Sequence, residues 1–262
     1  TPQSILWRDA ERTFKSEAMR VQMLRVLERV ADGDYHQGMG YLTGFLLILV
    51  PPDDVCKMLH CIGRDDKYTP GYWKGQPEAF VRDAMVYLQL VRTRFPAVAA
   101  QLEKLGVAPE AYAQKWFVGL CVHVLPYGPL VKVVEAFLRD GFMYLFKLAL
   151  AIVETLQPHL LAATADHIAL ALLRLDPKHF PDSDAAFFEG LVSRADDVVL
   201  EQHLVETLRE QQWVLLQEKQ AKVRAREAEM KQQDDSDDGI EFSDESGDEE
   251  DEAERLARLA AQ

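Results

Sequence analysis

The chain has 262 residues, 48% of them hydrophobic, enough to bury a sizeable core as one large domain or two lobes, and it reads as a soluble globular protein. Its net charge of −14 is concentrated: residues 234–254 carry thirteen Asp and Glu and no Lys or Arg, which leaves the rest near −1 and without the clustered cations a nucleic-acid surface needs. Uninterrupted apolar runs such as Phe45 to Val50 fall far short of the ~20 residues that cross a bilayer, and neither a membrane span nor a signal peptide is visible.

Three cysteines, Cys56, Cys61 and Cys121, cannot all pair within one chain, and each falls in an apolar helical pattern where free cysteine packs as a small hydrophobe. A reducing, intracellular setting is expected. The first residue is Thr1 rather than Met, so a piece of a longer protein is expected.

In chain order, residues 18–31 place Met19, Met23, Val26, Leu27 and Val30 three and four apart, one apolar stripe with Arg and Glu opposite, which predicts a helix. Asp32-Gly33-Asp34 ends it, and Tyr35 to Met39 forms a turn into a second helix over Gly38 to Val50. That segment is apolar all round, as in a helix enclosed by others. Pro51-Pro52-Asp53-Asp54 opens the next helix, which carries Cys56, His60 and Cys61. Gly63 to Pro77 reads as an ordered loop anchored by Tyr68, Tyr72 and Trp73.

Further helices are predicted over Phe80 to Phe95, just after Pro96, over Tyr112 to Leu125, Leu130 to Leu138, Phe142 to Leu156, Thr164 to Leu175 and Ser183 to Ala195. The last is capped by Asp182-Ser183-Asp184. Residues 198–232 form a final long helix that turns from amphipathic to highly charged. No strand-like alternation occurs, so the fold class is all-α. Gly106 to Pro109 marks the seam between an N-terminal lobe, 1–107, and a C-terminal lobe, 108–217. Residues 218–232 are a charged helical extension, and 233–262 an acidic tail that is disordered by composition. Within it, Ser246 followed by Gly-Asp-Glu-Glu suits an acid-directed kinase, and Glu252 to Ala261 suits a short helix formed on binding.

Two short motifs stand out near the start. Leu6-Trp7-Arg8-Asp9-Ala10-Glu11-Arg12-Thr13 sets an Asp three residues ahead of an Arg-Thr, and Tyr35-His36-Gln37-Gly38-Met39 sets a glutamine in a Gly-bounded turn. Alone, Arg12 reads as an ordinary surface arginine and Gln37 as an ordinary turn residue. Together with the later block Trp116-Phe117, Leu125-Pro126 and Asp140-Gly141, they resemble the TBC-domain family of Rab GTPase-activating proteins over roughly residues 5–215.

That resemblance implies a V-shaped, two-lobed helical domain and a function in trans, the stimulation of GTP hydrolysis by a Rab-type small GTPase. Arg12 becomes an arginine finger and Gln37 a glutamine finger; Asp9, Thr13, Tyr35 and Gly38 support them, and Met39 contacts the partner. Asp9, one helical turn before Arg12, is placed to hold the guanidinium by a charge-assisted hydrogen bond, and Tyr35 to brace the turn carrying Gln37. Ordinary capping and packing are the other reading of both. The chain has no Gly-x-x-x-x-Gly-Lys-Ser/Thr loop, so no cofactor is expected on it; GTP and Mg²⁺ are expected on the partner. The resemblance further implies a cytoplasmic protein of vesicle trafficking and intracellular protein transport, recruited to endomembranes through its partner alone.

The alternative is a TBC-like scaffold that binds a small GTPase or another partner with weak or no catalysis, since the family's Trp-Asp pair in the second half is replaced by Val134-Glu135. Other constellations carry less. Helical spacing separates Cys61 from Cys56 and His60, and Cys121 from His123, so neither a metal site nor a thiol dyad is expected.

Overall fold

A computed structural model describes residues 2–31, 35–176 and 185–237, with side chains at 5–31, 35–176 and 186–229. Its described residues form twelve α-helices and no strand, the all-α class read from the sequence. The Asp32-Gly33-Asp34 turn, the Asp182-Ser183-Asp184 cap and the acidic segment from residue 238 on, with Ser246 and Glu252 to Ala261, lie outside the described residues.

Periodicity predicts no helix ahead of residue 18, whereas the chain forms α1 (Pro2–Thr13) there. Among its described apolar side chains only Leu6 and Ala10, four apart, are buried, too short a stripe to register as a period. α2 (Glu17–Val30) buries the predicted face, Met23, Val26, Leu27 and Val30. The link between them is held where the Arg20 Nε–H donates to the Phe14 carbonyl at 2.7 Å.

α3 (Gln37–Leu49) is enclosed as expected, with nine buried residues from Gly38 to Leu47. It packs on α1, on α2 and on α4 (Pro52–Arg64). Gly44 lets α1 approach, because a Cβ there would sit 2.6 Å from the Thr13 methyl. The loop from residue 65 to 77 is anchored by Tyr68, Tyr72 and Trp73, all buried. Tyr68 and Tyr72 donate their hydroxyls, Tyr68 to the Leu138 carbonyl at 3.0 Å and Tyr72 to Asp83 Oδ2.

α5 (Glu78–Arg94), α6 (Pro96–Lys104), α7 (Glu110–Phe117) and α8 (Tyr127–Asp140) follow. The helix expected over Tyr112 to Leu125 stops at Phe117. Beyond it Leu120 and Cys121 take left-handed φ values of 44° and 59°, and residues 118–125 coil back as a tight turn. The spacing of Trp116, Leu120 and Val124 mimics a helix because all three are buried, but in a turn rather than along one face. α9 (Phe142–Ala162) begins after Gly141, whose φ of 66° is joined by close approach of the Lys67 carbonyl, which accepts from the Phe142 N–H at 2.9 Å.

By length and apolar content α9 alone among the described helices is able to cross a bilayer, although no unbroken apolar run announces it. Thirteen of its side chains are buried against neighbouring helices, so it is the core helix of a packed unit. Its neighbours are α5, α6, α7 and α8, with α10 (Asp166–Leu173) and α11 (Ala185–Asp197) completing the set. It also runs past Leu156 to Ala162 through Pro158, which removes one backbone donor near the helix end.

α12 (Gln202–Asp237) extends beyond the expected end of the charged extension at residue 232, so residues 233–237 are helical. Contacts divide the chain into Thr1–Leu215 and Leu216–Gln262. Within the first unit one hydrophobic cluster runs from Leu6 to Val205 through the Gly106 turn, where the Val107 N–H donates to the Leu102 carbonyl at 2.9 Å.

Candidate functional site

Arg12 lies in the last turn of α1, and its side chain is 71% exposed. Asp9, one turn earlier, is buried and stands 3.6 Å from an Arg12 Nη1. The same carboxylate accepts the Tyr35 hydroxyl at 2.7 Å through Oδ2. One buried acid therefore joins the two sequence motifs, which the sequence suggested as two separate supports. Burial and the neighbouring Asp9 charge both push the Tyr35 hydroxyl pKa far up, so it stays a proton donor.

Thr13 contributes locally: its hydroxyl donates to the Asp9 carbonyl at 2.7 Å, closing the end of α1, while its methyl faces Gly44. Tyr35 also lies against Gly40, close enough that any Cβ there would overlap the phenol oxygen.

Gln37 is the first residue of α3 and is exposed. The expected turn is shorter than predicted because His36 caps the helix: its Nδ1 accepts the Gly38 N–H at 3.0 Å, so helical geometry starts at Gln37. Gly38 is required by its neighbour, since a Cβ would sit 2.7 Å from Val118 Cγ1 and 2.9 Å from the Val118 carbonyl oxygen. Met39, assigned to partner contact, is instead buried; it is the third residue of a helix whose opposite face carries Gln37, and it packs into the core while its carbonyl accepts from Thr43.

Beside Gln37 opens a cavity of about 380 Å³, lined by Gln37, Tyr41, Gln114, Lys115, Val118 and His123, among others. Tyr41 sits one turn beyond Gln37 on the same face of α3 and meets the His123 ring edge-on, with centroids 3.7 Å apart. Burial and Asp9 raise the Tyr41 pKa while Arg12 opposes them, so Arg12 and Asp9 act electrostatically on a residue that lines the Gln37 cavity. Arg12 and Gln37 are both exposed. Burial keeps the His36 and His123 imidazoles below their ordinary pKa, with Lys115 adding to the effect at His123.

The arrangement offers an exposed guanidinium at the end of α1 and an exposed carboxamide, both donor and acceptor, at the start of α3. Cys121 is buried and its thiol pKa is pushed up to about 12 by that burial, which removes it as a thiolate. Among the described residues no group of three His, Cys, Asp or Glu side chains gathers as a metal-ligand set. Cys56 is buried and Cys61 exposed, so the expectation that every cysteine packs as a small hydrophobe fails for Cys61. Val134 is buried in the core and Glu135, the next residue of α8, is exposed.

Sequence reasoning passed over Tyr41 and Gln114, quoted His36 only as part of its motif and weighed His123 only as a dyad partner for Cys121. Tyr41 was findable, lying at i+4 from Gln37. Gln114 and His123 carry no local signal, since only packing brings them beside α3.

A profile of the RabGAP-TBC family, described as the Rab-GTPase-TBC domain, matches residues 1–161. Carabin from Mus musculus is 30% identical over 161 residues, which cover 56% of this chain and 35% of that protein. Growth hormone-regulated TBC protein 1 from Homo sapiens is 29% identical over 133 residues, 50% of this chain and 39% of that one. This chain therefore spans well under half the length of either relative. Among solved structures, the Chlamydomonas flagellar RabGAP TBC domain superposes with a TM-score of 0.58 at 17% identity, over 74% of this chain and 66% of its own, a likeness of fold.

Proposed function

This chain belongs to the RabGAP-TBC family, and on that premise we propose that it stimulates GTP hydrolysis by a Rab-type small GTPase, with Arg12 as arginine finger and Gln37 as glutamine finger. One observation carries the reading: the buried Asp9 carboxylate binds Tyr35 and faces Arg12, so the helix end bearing the cation and the helix start bearing the carboxamide are tied to one post. A surface arginine and a surface glutamine with no shared task need no such tie.

The chemistry is electrostatic. In phosphoryl transfer negative charge spreads over the oxygens of the transferred group, and little covalent work remains for the protein. The Arg12 guanidinium, long-stemmed and exposed, supplies N–H donors to those oxygens. The Gln37 carboxamide has one acceptor and two donors, enough to accept from an attacking water and donate to an oxygen at once. GTP and Mg²⁺ come with the GTPase, and any membrane association follows from that partner.

Single-turnover GTP hydrolysis across a panel of Rab-type GTPases tests the proposal. Arg12→Ala lowers the stimulated rate by ~10³ or more, and Gln37→Ala by ~10² or more, with helical content unchanged. Parent-like rates in both variants end the reading. The replacement of the family's Trp-Asp by Val134-Glu135 favours a second one, a TBC-type scaffold that binds a GTP-loaded GTPase without hastening hydrolysis; binding without stimulation in the same assay identifies it.

A further inference from the structure

We infer that His36 is a positioning residue for Gln37, a clamp by which α7 holds the first turn of α3 in register with the reacting nucleotide; the inference rests on the GTPase-activating reading above. Two contacts meet on it, and a third holds the Gly38 it caps. The Gly38 N–H donates to Nδ1 at 3.0 Å, which fixes a neutral ring with its proton on Nε2. Gln114, from α7 and 78 residues along the chain, places its carboxamide 3.3 Å from that Nε2; because the Nε2–H is a donor, the bond is made with the carboxamide turned so that its Oε1 accepts. Gly38 itself rests on Val118, just past the end of α7. The peptide that carries Gln37 is thereby gripped on both sides, by an imidazole and by Val118.

Placement matters here because Gln37 is exposed, so the aim of its carboxamide depends on the backbone beneath it. The nature of the cap is also informative. Helix starts favour Asp, Ser, Thr and Asn caps. An Asp beside a site that must receive a phosphate would add a repelling charge. A neutral imidazole gives the acceptor without the charge, and burial keeps it neutral. Its second nitrogen then reaches α7, which no Ser, Thr or Asn side chain is long enough to do in the same pose. The turn from 118 to 125, with Leu120 and Cys121 at left-handed φ, keeps Val118 and His123 against this same stretch of α3.

The experiment measures kcat and KM separately, with the full chain and a Rab-type GTPase that the parent stimulates, for His36→Ala, His36→Asn and Gln114→Ala. Misplacement of a catalytic group by about 1 Å costs up to ~10² in rate. His36→Ala is expected to lower kcat about 10- to 100-fold with KM within about twofold, and His36→Asn, which restores a neutral cap acceptor, to recover most of that loss. Gln114 is exposed, so Gln114→Ala keeps the fold whatever His36→Ala does, and it is expected to lower kcat about threefold or more. Parent-like kcat in Gln114→Ala or in a folded His36→Ala overturns the inference. So does an equal loss in His36→Ala and His36→Asn, or a change confined to KM. A parent that stimulates no GTPase on the panel overturns the proposed function first and this inference with it.

Discussion

Asp9 is the residue on which the site's geometry turns, because a single buried carboxylate serves both Tyr35 and Arg12. Asp9→Ala leaves a half-buried phenol hydroxyl without its acceptor, and urea denaturation should register a loss of about 1–3 kcal/mol. Asp9→Asn keeps an acceptor for Tyr35 and removes the charge facing Arg12. Its stability should stay within about 1 kcal/mol of the parent, while stimulated GTP hydrolysis falls about tenfold through the loosened guanidinium. The histidines give a pH dependence of definite sign. His36 and His123 titrate below the ordinary 6.5 when folded, so the unfolded chain binds protons more readily as pH falls past that value. Stability should therefore fall as pH drops through about 6.5 and level off below the depressed folded values, as thermal melts between about pH 7.5 and 5.5 would reveal; His36→Asn should flatten part of the slope. Arg12, Gln37 and Asp9 were legible as motif residues. Met39 was misread because a motif does not show which of its side chains turn inward, and here helical rotation carries it into the core.

Among elements, the start of α12 is fastened to α5 by an ionic cluster. Asp83, fully buried, accepts from the Tyr72 hydroxyl, from Arg82 Nε at 2.7 Å and from both Nε and Nη2 of Arg209, whose guanidinium also lies 3.5 Å from the Phe142 ring centre. Asp83→Ala leaves two arginines and a tyrosine around an empty place, and chemical denaturation should show a loss of about 3–5 kcal/mol, far more than an exposed pair would give. The sequence held a trace of this. Asp83 sits three residues after Phe80 and four before Tyr87, on the stripe that otherwise reads as apolar, so a buried acid needing partners was implied there. Its main partner, Arg209, is 126 residues away and was not implied by anything local. The long helix expected over Tyr112 to Leu125 failed for a related reason: burial at spacings of four is necessary for a helix but not sufficient, and the left-handed Leu120 and Cys121 are held by the packing around them.

For the molecule as a whole, contacts divide the chain at Leu215, and the described side chains of α12 from 216 to 229 are exposed or half-exposed. Ending the chain at Leu215 should leave a cooperatively melting protein with Tm within about 3 °C of the parent, measured by calorimetry, since under about 1 kcal/mol is at stake. The family match ends at residue 161, yet the hydrophobic cluster continues to Val205, so the last part of the core belongs to the same folding unit. The sequence by itself determined the helical class, most helix starts and the two motifs, because apolar periodicity, caps and breakers act over a few residues and need no partner from elsewhere. Only the tertiary structure decided where those motifs meet. The Tyr35 to Asp9 bond spans 26 residues and the His36 to Gln114 contact 78, and such distant pairs form only once the core has packed and brought their helices together.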